Sequence, residues 1–285
     1  MTEEEEQQKQ LTFQRILVAL DTSGHSRAAL EAAARLAKLS EAELKGLFVQ
    51  DAEWHRLSQL PSLQEVRDLT GELQSLERNS MKKQIHLLEK RVEEMVRLIS
   101  RQADVKHSME TAVGSIEEKV LEAAKDADLI TIGRAGHSYS SQRKVGRTAR
   151  GIIEKSDKPV LLLQRGSRLR RSIVAVYDGS ESSKKGLKIA RQLAEIQGGT
   201  LTILVLRNDP DAIRERDRDF EDLVGNGSLA VRVLTVDKAD QYNFTKMINR
   251  LHSGLLVIPK DQPLFDAGSL DTLLNRIDCP LLLMN

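Results

Sequence analysis

The chain has one cysteine, few aromatic residues (3%) and almost no net charge, and each shortage excludes a class of protein. The single cysteine, Cys279, rules out an internal disulfide and any CxxC metal or redox site. Because it precedes Pro280 at the start of an apolar segment, we expect a buried, unreactive thiol. The formal net charge of +1 gives no overall attraction to nucleic acid or to a membrane surface.

Long apolar runs and leader signals are also missing. No apolar run approaches about 18 residues, and the start of the chain has no basic region followed by an apolar stretch. We therefore expect a cytoplasmic protein. The balance of 40% apolar and 30% charged residues is typical of a globular fold, and 285 residues favour two domains over one.

Several catalytic motifs are absent. There is no GxxxxGK[ST] loop, because the run from Gly146 to Gly151 is followed by Ile152, and there is no HExxH or GxSxG sequence. The six histidines show no metal-ligand spacing. His25 and His137 are either pocket-lining residues or parts of surface turns. These absences favour a binding protein over an enzyme.

What the chain does contain is a repeat. Residues 15–23 read RILVALDTS and residues 172–180 read SIVAVYDGS, so each is an apolar strand that ends in an Asp and a turn. The two copies also close alike, with KPVLLL at 158–163 and CPLLLM at 279–284. We predict a first half at residues 13–165 and a second half at residues 172–285. The basic run 166–171 is predicted to be a solvated linker, and residues 1–12, which include four consecutive glutamates, to be a disordered acidic tail.

Short β-branched runs alternate with amphipathic helices in both halves, a pattern that predicts a mostly parallel sheet covered on both faces. A helix is expected near 26–38, and its small residues Ala33, Ala34 and Ala37 favour close packing on the sheet. Ser115 and Glu118 have capping-box spacing and predict a helix at 116–125. The predicted strands lie near 15–20, 44–50, 105–110, 128–132, 159–163, 172–177, 200–206, 230–236, 254–258 and 280–284.

The first half carries extra length at 52–101, which we interpret as a helical insertion. Met81, Ile85, Leu88, Val92, Met95 and Ile99 form an apolar stripe at helical spacing. Leu69, Leu73 and Leu76 predict that the stripe continues to the other side of Gly71. The helix either packs on the sheet or uses its excess length as an oligomer contact or a lid. Trp54 belongs either to the core or to that lid.

A glycine loop distinguishes the first half. Strand 128–132 leads into Gly133 and Gly136, and Gly146, Arg147 and Thr148 follow at the start of a helix. Glycines without Cβ atoms let backbone N–H groups approach an anion, and the N-terminus of a helix favours phosphate. Asp21 ends the first strand, where open parallel sheets place their ligands.

Taken together, the spacing Gly133-x2-Gly136-x9-Gly146, the Asp21-Thr22-Ser23 turn and the proline-led last strand resemble the universal stress protein family in its tandem form. The resemblance implies two doubly wound α/β domains with five-stranded, mostly parallel sheets of the adenine nucleotide alpha hydrolase-like (Rossmann-like) kind. It also implies that the last strands pair the domains as a pseudo-dimer.

For the site, the resemblance implies ATP or another adenine nucleotide in the first half, with Mg²⁺ as a possible companion. The adenine would lie near Asp21, Val49 and Ile132, and the phosphates over Gly133, Gly136, Gly146 and the residues that follow it. The family's hydroxyl residue after the third glycine is replaced by Arg147, and Thr148 comes one place later. A guanidinium in this place either pairs with phosphate or obstructs the pocket.

The second half keeps Asp178-Gly179-Ser180 but has no matching loop. Its fourth strand leads into Pro259 and Pro263, which lack amide donors, so we expect no nucleotide there. Three functions remain open: a nucleotide-responsive regulator that an unidentified protein partner reads, a nucleotide-free interaction module with closed pockets, and a weak ATPase. A homodimer through the insertion is compatible with each of them.

Overall fold

The computed structural model describes residues 13–52, 64–66, 73–75, 78–135, 145–207, 220, 224, 228–237, 241–261 and 269–285. The predictions for the acidic tail, Trp54, Gly136, His137 and Pro263 concern positions outside these residues. No helix within the described ranges has the length and apolar character needed to cross a membrane.

Ten strands of the described residues form one sheet, and two short ones form a separate antiparallel hairpin. In chain order the strands are β1 (Arg15–Leu20), β2 (Glu43–Asp51), β3 (Gln64–Val66), β4 (Leu73–Ser75), β5 (His107–Gly114), β6 (Leu129–Gly133), β7 (Val160–Leu163), β8 (Ser172–Tyr177), β9 (Thr200–Arg207), β10 (Ala230–Asp237), β11 (Leu255–Pro259) and β12 (Leu281–Met284). The hairpin consists of β3 and β4.

The order of strands in the large sheet is β10-β9-β8-β11-β12-β7-β6-β1-β2-β5. Each half contributes five strands, and the order third, second, first, fourth, fifth occurs in both. Neighbours within a half are parallel. The exception is the junction, where β7 and β12 pair antiparallel with Leu161 opposite Leu282. The predicted fold and the pairing of the halves through their last strands are confirmed.

Seven helices are described: α1 (Gly24–Ser40), α2 (Arg78–Ala103), α3 (Ile116–Ala123), α4 (Arg147–Lys155), α5 (Glu181–Ile196), α6 (Gln241–Arg250) and α7 (Ser269–Arg276). Helix α1 begins after Ser23, whose side chain accepts from the Ser26 amide at 3.2 Å. Its alanines are buried as predicted, with Ala29, Ala33 and Ala37 fully covered. Helix α3 begins where the sequence predicts, but the capping box is wrong, because Ser115 makes no side-chain cap bond.

Helix α2 forms the main described part of the insertion and packs on α1, β2 and β5. Its last turns supply Val92, Val96 and Ile99 to the core, whereas Leu87 is 55% exposed. The predicted continuation of the helix past Gly71 is wrong at Leu73, which lies in the hairpin strand β4. Three leucines at helical spacing were too little to specify a helix on the far side of a glycine.

The basic run between the halves is not solvated throughout. Its arginines are exposed, but Leu169 is buried, and the Leu169 carbonyl accepts a hydrogen bond from Arg35 of α1 at 2.9 Å. The segment therefore packs on the first half where it crosses to the second.

The junction gives a test of how far the two halves depend on each other. Leu161 is completely buried in β7 opposite Leu282, so we expect Leu161→Ala to lower the free energy of unfolding by about 2–5 kcal/mol. Leu87→Ala makes the same change on the exposed surface of α2 and is expected to alter stability by less than about 0.5 kcal/mol. Urea unfolding followed by circular dichroism measures both. Equal effects of the two substitutions would contradict the described packing.

Candidate functional site

A cleft in the first half lies at the carboxyl ends of β1 and β6, where the strand order reverses. Open parallel sheets bind their ligands at such a point. The cleft has a volume of about 590 Å³, within the range of small-molecule sites. Its lining includes every predicted site residue that the structure describes: Asp21, Val49, Ile132, Gly133, Gly146, Arg147 and Thr148.

Apolar residues form much of the cleft wall. Val49 from β2 and Ile132 from β6 are joined by Leu47, Ile116 and Val145. The sequence analysis missed the last three. Ile116 follows the carboxyl end of β5, so its place at this edge of the sheet could have been inferred from the strand order. A flat, apolar ring would find suitable contacts on this wall.

The turn after β1 is held by its own side chains. The Asp21 carboxylate accepts from the Ser23 amide at 2.8 Å, and the Asp21 amide donates to the Ser26 hydroxyl at 2.9 Å. The second half builds the same turn, with the Asp178 carboxylate accepting from the Ser180 amide at 2.9 Å. Because the turn occurs in both halves, it is a folding feature whether or not a ligand binds.

Gly133 and Gly146 are glycines for different reasons. A Cβ on Gly133 would lie 2.9 Å from the backbone of His25 and Ser26, so α1 packs against β6 only because that Cβ is absent. A Cβ on Gly146 would meet nothing closer than 3.6 Å, and its φ of −64° suits any residue. The folded chain therefore requires glycine at 133 but not at 146.

The N-terminus of α4 opens on the cleft without a side-chain cap. Gly146 is the N-cap residue and makes no side-chain bond, while its own amide donates to the Arg134 carbonyl at 2.8 Å. The next three amides, of Arg147, Thr148 and Ala149, have no acceptor within the helix. All three of these residues line the cleft. Uncapped amides and the helix dipole together favour an anion here.

Two arginines flank this helix end and point to different places. Arg147 is exposed and lines the cleft. Arg134 is buried, with an exposed fraction of 4%. Its guanidinium donates to the Gln164 side chain at 3.0 Å and to the Ile277 carbonyl at 2.7 Å. Burial lowers the pKa of Arg134, an effect that nearby Asp278 opposes. The Arg134 side chain thus belongs to the junction between the halves.

Of the two alternatives for His25, the structure does not support a pocket-lining role. His25 is not among the cleft residues, and its Nδ1 accepts a hydrogen bond from the Arg165 amide at 2.9 Å. It lies in the first turn of α1 and contacts the segment that follows β7. Burial, followed by the charge of Arg134, lowers the pKa of His25, and Asp21 acts in the opposite direction.

The corresponding edge of the second half is built differently. Tyr177 ends β8, and its ring packs on Phe220 with centroids 5.1 Å apart. The described opening in this half, about 600 Å³, lies elsewhere, between residues of α6 and the end of α7. Among the described residues, no group of three or more His, Cys, Asp or Glu is arranged to hold a metal ion. Cys279 is half-buried rather than fully buried, and the partial burial of its thiol raises its pKa to about 11.

A doubly wound parallel sheet, with a cleft at its switch point and an uncapped helix N-terminus in the cleft, defines the class of the Rossmann-like α/β proteins. Within that class, the sequence pattern of the Universal stress protein family matches residues 12–164, more than half of the chain, and the chain belongs to this family. No curated protein matches the sequence.

Two solved structures have the same fold over nearly the whole chain. A universal stress protein from Archaeoglobus fulgidus DSM 4304 is 17% identical with a TM-score of 0.69, over 94% of this chain and 97% of its own. A putative universal stress protein from Pseudomonas aeruginosa UCBPP-PA14 is 14% identical with a TM-score of 0.62, over 97% and 94%. A shorter protein, a universal stress protein in complex with cAMP, is 19% identical with a TM-score of 0.38, over 55% and 100%.

The contrast between the two glycines predicts different outcomes for one substitution. Gly133→Ala forces a Cβ into the backbone of α1 and is expected to cost about 1–3 kcal/mol of unfolding free energy. Gly146→Ala adds the same methyl group to a position with room for it and is expected to cost less, up to about 1 kcal/mol, because alanine is a poorer N-cap residue than glycine. Chemical denaturation compares them. A greater loss for Gly146→Ala would contradict the described loop.

The environment of His25 predicts a pH dependence of stability. The folded state favours the neutral ring because its Nδ1 is a hydrogen-bond acceptor and its pKa lies below the ordinary 6.5. This contribution is present above pH 6.5 and is lost as pH falls through the folded pKa. His25→Asn removes the titration, so the stability of the wild type relative to this variant should decrease between pH 7.5 and pH 5. Thermal unfolding across that range measures the difference, and a constant difference would contradict the assignment.

Proposed function

We propose that this chain is a nucleotide-responsive regulatory protein that holds ATP or another adenine nucleotide in the cleft of its first half and acts by binding rather than by catalysis. The observation that carries the proposal is the uncapped N-terminus of α4 in the cleft, behind a glycine that the fold itself does not require. Without a Cβ at this N-cap, a ligand can approach the first amides of the helix closely.

The chemistry of the cleft fits both ends of a nucleotide. The apolar wall of Val49, Ile116 and Ile132 suits a base, and the first amides of α4 suit phosphate. Arg147 and the Thr148 hydroxyl add a charged and a neutral donor beside those amides. Mg²⁺ would come with the nucleotide and offset phosphate charge, and Asp21 is the one carboxylate among the described residues that line the cleft.

Catalysis is not part of the proposal. Hydrolysis needs a group that activates water, and the Asp21 carboxylate already accepts the Ser23 amide in the turn. Binding alone changes the populations of loop and helix conformations, and a partner protein can respond to such a change.

Titration calorimetry with ATP, ADP and cAMP tests the proposal on protein stripped of small molecules. We expect saturable binding in the wild type and its loss in Gly146→Val, because valine side-chain atoms would enter the cleft at a position whose backbone tolerates them. Arg147→Gln should weaken ATP binding by about tenfold through the lost charge-assisted bond. Arg168→Gln, a matched change at an exposed arginine between the halves, should leave binding unchanged.

Two results would contradict this reading. Absence of binding by the stripped wild type would favour the nucleotide-free interaction module, for which the exposed part of α2 offers a surface. ATP turnover that disappears in Gly146→Val would instead favour the weak ATPase.

A further inference from the structure

The glycine loop of the first half is held at both ends by the second half. On one side, Arg134 follows directly after β6, and its guanidinium donates to the Ile277 carbonyl at the end of α7. On the other side, the Val145 amide donates to the Asn275 side chain at 2.8 Å. The two contacts span 143 and 130 residues of sequence, yet they meet the same short segment of the second half.

Arg134 is buried, and its backbone is also hydrogen-bonded on both sides. Arg134 is 4% exposed, its amide donates to the Leu163 carbonyl at 2.6 Å, and its carbonyl accepts from Gly146 at 2.8 Å. One residue therefore joins the strand before the loop, the helix cap after it and the second half. A shift of α7 relative to β6 has to break or stretch the bond between the Arg134 guanidinium and the Ile277 carbonyl.

Pseudo-symmetry shows that such contacts across the junction are a regular feature of the fold. Lys260 follows β11 as Arg134 follows β6, and its ammonium donates to the carbonyls of Glu154 at 3.1 Å and Ser156 at 3.2 Å at the end of α4. Both residues place a cation on the C-terminus of the last helix of the opposite half, where a positive charge is favourable. Among the described residues, Arg134 also leads into the glycine loop and lines the cleft, so on this side the contact reaches the cleft.

We propose that the second half sets the nucleotide affinity of the first half by fixing both ends of the glycine loop through Ile277 and Asn275. Arg134 and Asn275 are then positioning residues that act on the cleft through the backbone of Gly146. The coupling is reciprocal, so a nucleotide bound in the cleft stabilises the contact with α7 and makes the second half the part of the chain that senses occupancy. The affinity part of this proposal rests on the proposed function.

Asn275 offers the sharper test because it is half-buried, and its loss is less damaging than that of Arg134. Asn275→Ala removes the acceptor for Val145. Asn249→Ala is the matched control, since the Asn249 side chain donates to the Arg276 carbonyl at 2.9 Å within the second half and does not reach the loop. Asn275→Asp keeps an oxygen acceptor and serves as the conservative variant.

The first measurement is amide hydrogen exchange on full-length protein without nucleotide. Asn275→Ala should accelerate exchange at the amides of Gly146 and Arg150 on the order of tenfold. The Gly146 amide donates to the Arg134 carbonyl and the Arg150 amide to the Gly146 carbonyl, so neither amide bonds Asn275 itself. Asn249→Ala should leave these amides unchanged, and Asn275→Asp should restore their protection. Unchanged exchange at Gly146 and Arg150 in Asn275→Ala would overturn the positioning role.

The second measurement is titration calorimetry with ATP. Asn275→Ala should weaken binding by about five- to tenfold while Asn249→Ala does not. Faster exchange with unaltered affinity would overturn the coupling. If the wild type itself binds no ATP, the proposed function and the affinity part fail together, and the exchange result still decides whether the second half positions the loop.

Discussion

The antiparallel pairing of β7 with β12 is the constraint on which the rest of this structure depends. All four residues of each strand are buried, as in the interior of a sheet rather than at its edge. Separated halves would each expose an apolar edge strand with unpaired backbone groups, which is a route to aggregation. The second half is thus required as a sheet partner whether or not it binds anything, and this requirement accounts for its strands although its sequence lacks the glycine spacing of the first half.

Comparing the halves separates folding features from ligand features. The Asp-x-Ser turn occurs in both, with Asp21 and Asp178 accepting the same kind of backbone bond, so it follows from the way a helix starts after a strand. Gly133 also has a folding reason, because α1 lies against it. Gly146 has no comparable packing reason, because a Cβ would fit there, and the N-terminus of α4 behind it has no side-chain cap. A family motif in this chain is therefore partly a packing pattern, and its glycines do not all report on a ligand.

The same distinction explains what the sequence could and could not predict. Strands rich in β-branched residues and helices with small-residue faces are local patterns, and their positions and the pairing of the halves were predicted correctly. The role of a glycine depends on parts of the chain that are distant in sequence. At Gly133 the missing Cβ allows close packing against α1, whereas at Gly146 there is room for a Cβ. The contacts of His25 and Arg134 could not be predicted from the sequence for a related reason. Nothing near Arg134 in the sequence indicates an acceptor at Ile277, and nothing near His25 indicates the Arg165 amide.

Helix α4 brings these points together, because its two ends serve different parts of the molecule. Its N-terminus opens on the cleft of the first half, and its C-terminus ends against the second half. There Lys260 and the Asn285 side chain donate to the Ser156 carbonyl, the residue directly after the helix. A cation at the C-terminal end offsets the negative end of the helix dipole, while the positive end has no side-chain cap. The second half therefore completes the electrostatics of the helix whose N-terminus opens on the cleft of the first half. In the opposite direction, the Arg134 guanidinium of the first half donates to the Ile277 carbonyl at the end of α7. The two halves are therefore linked through the C-terminal ends of α4 and α7. In such an arrangement, a copy without a glycine loop still contributes to the site of its neighbour through the geometry it imposes.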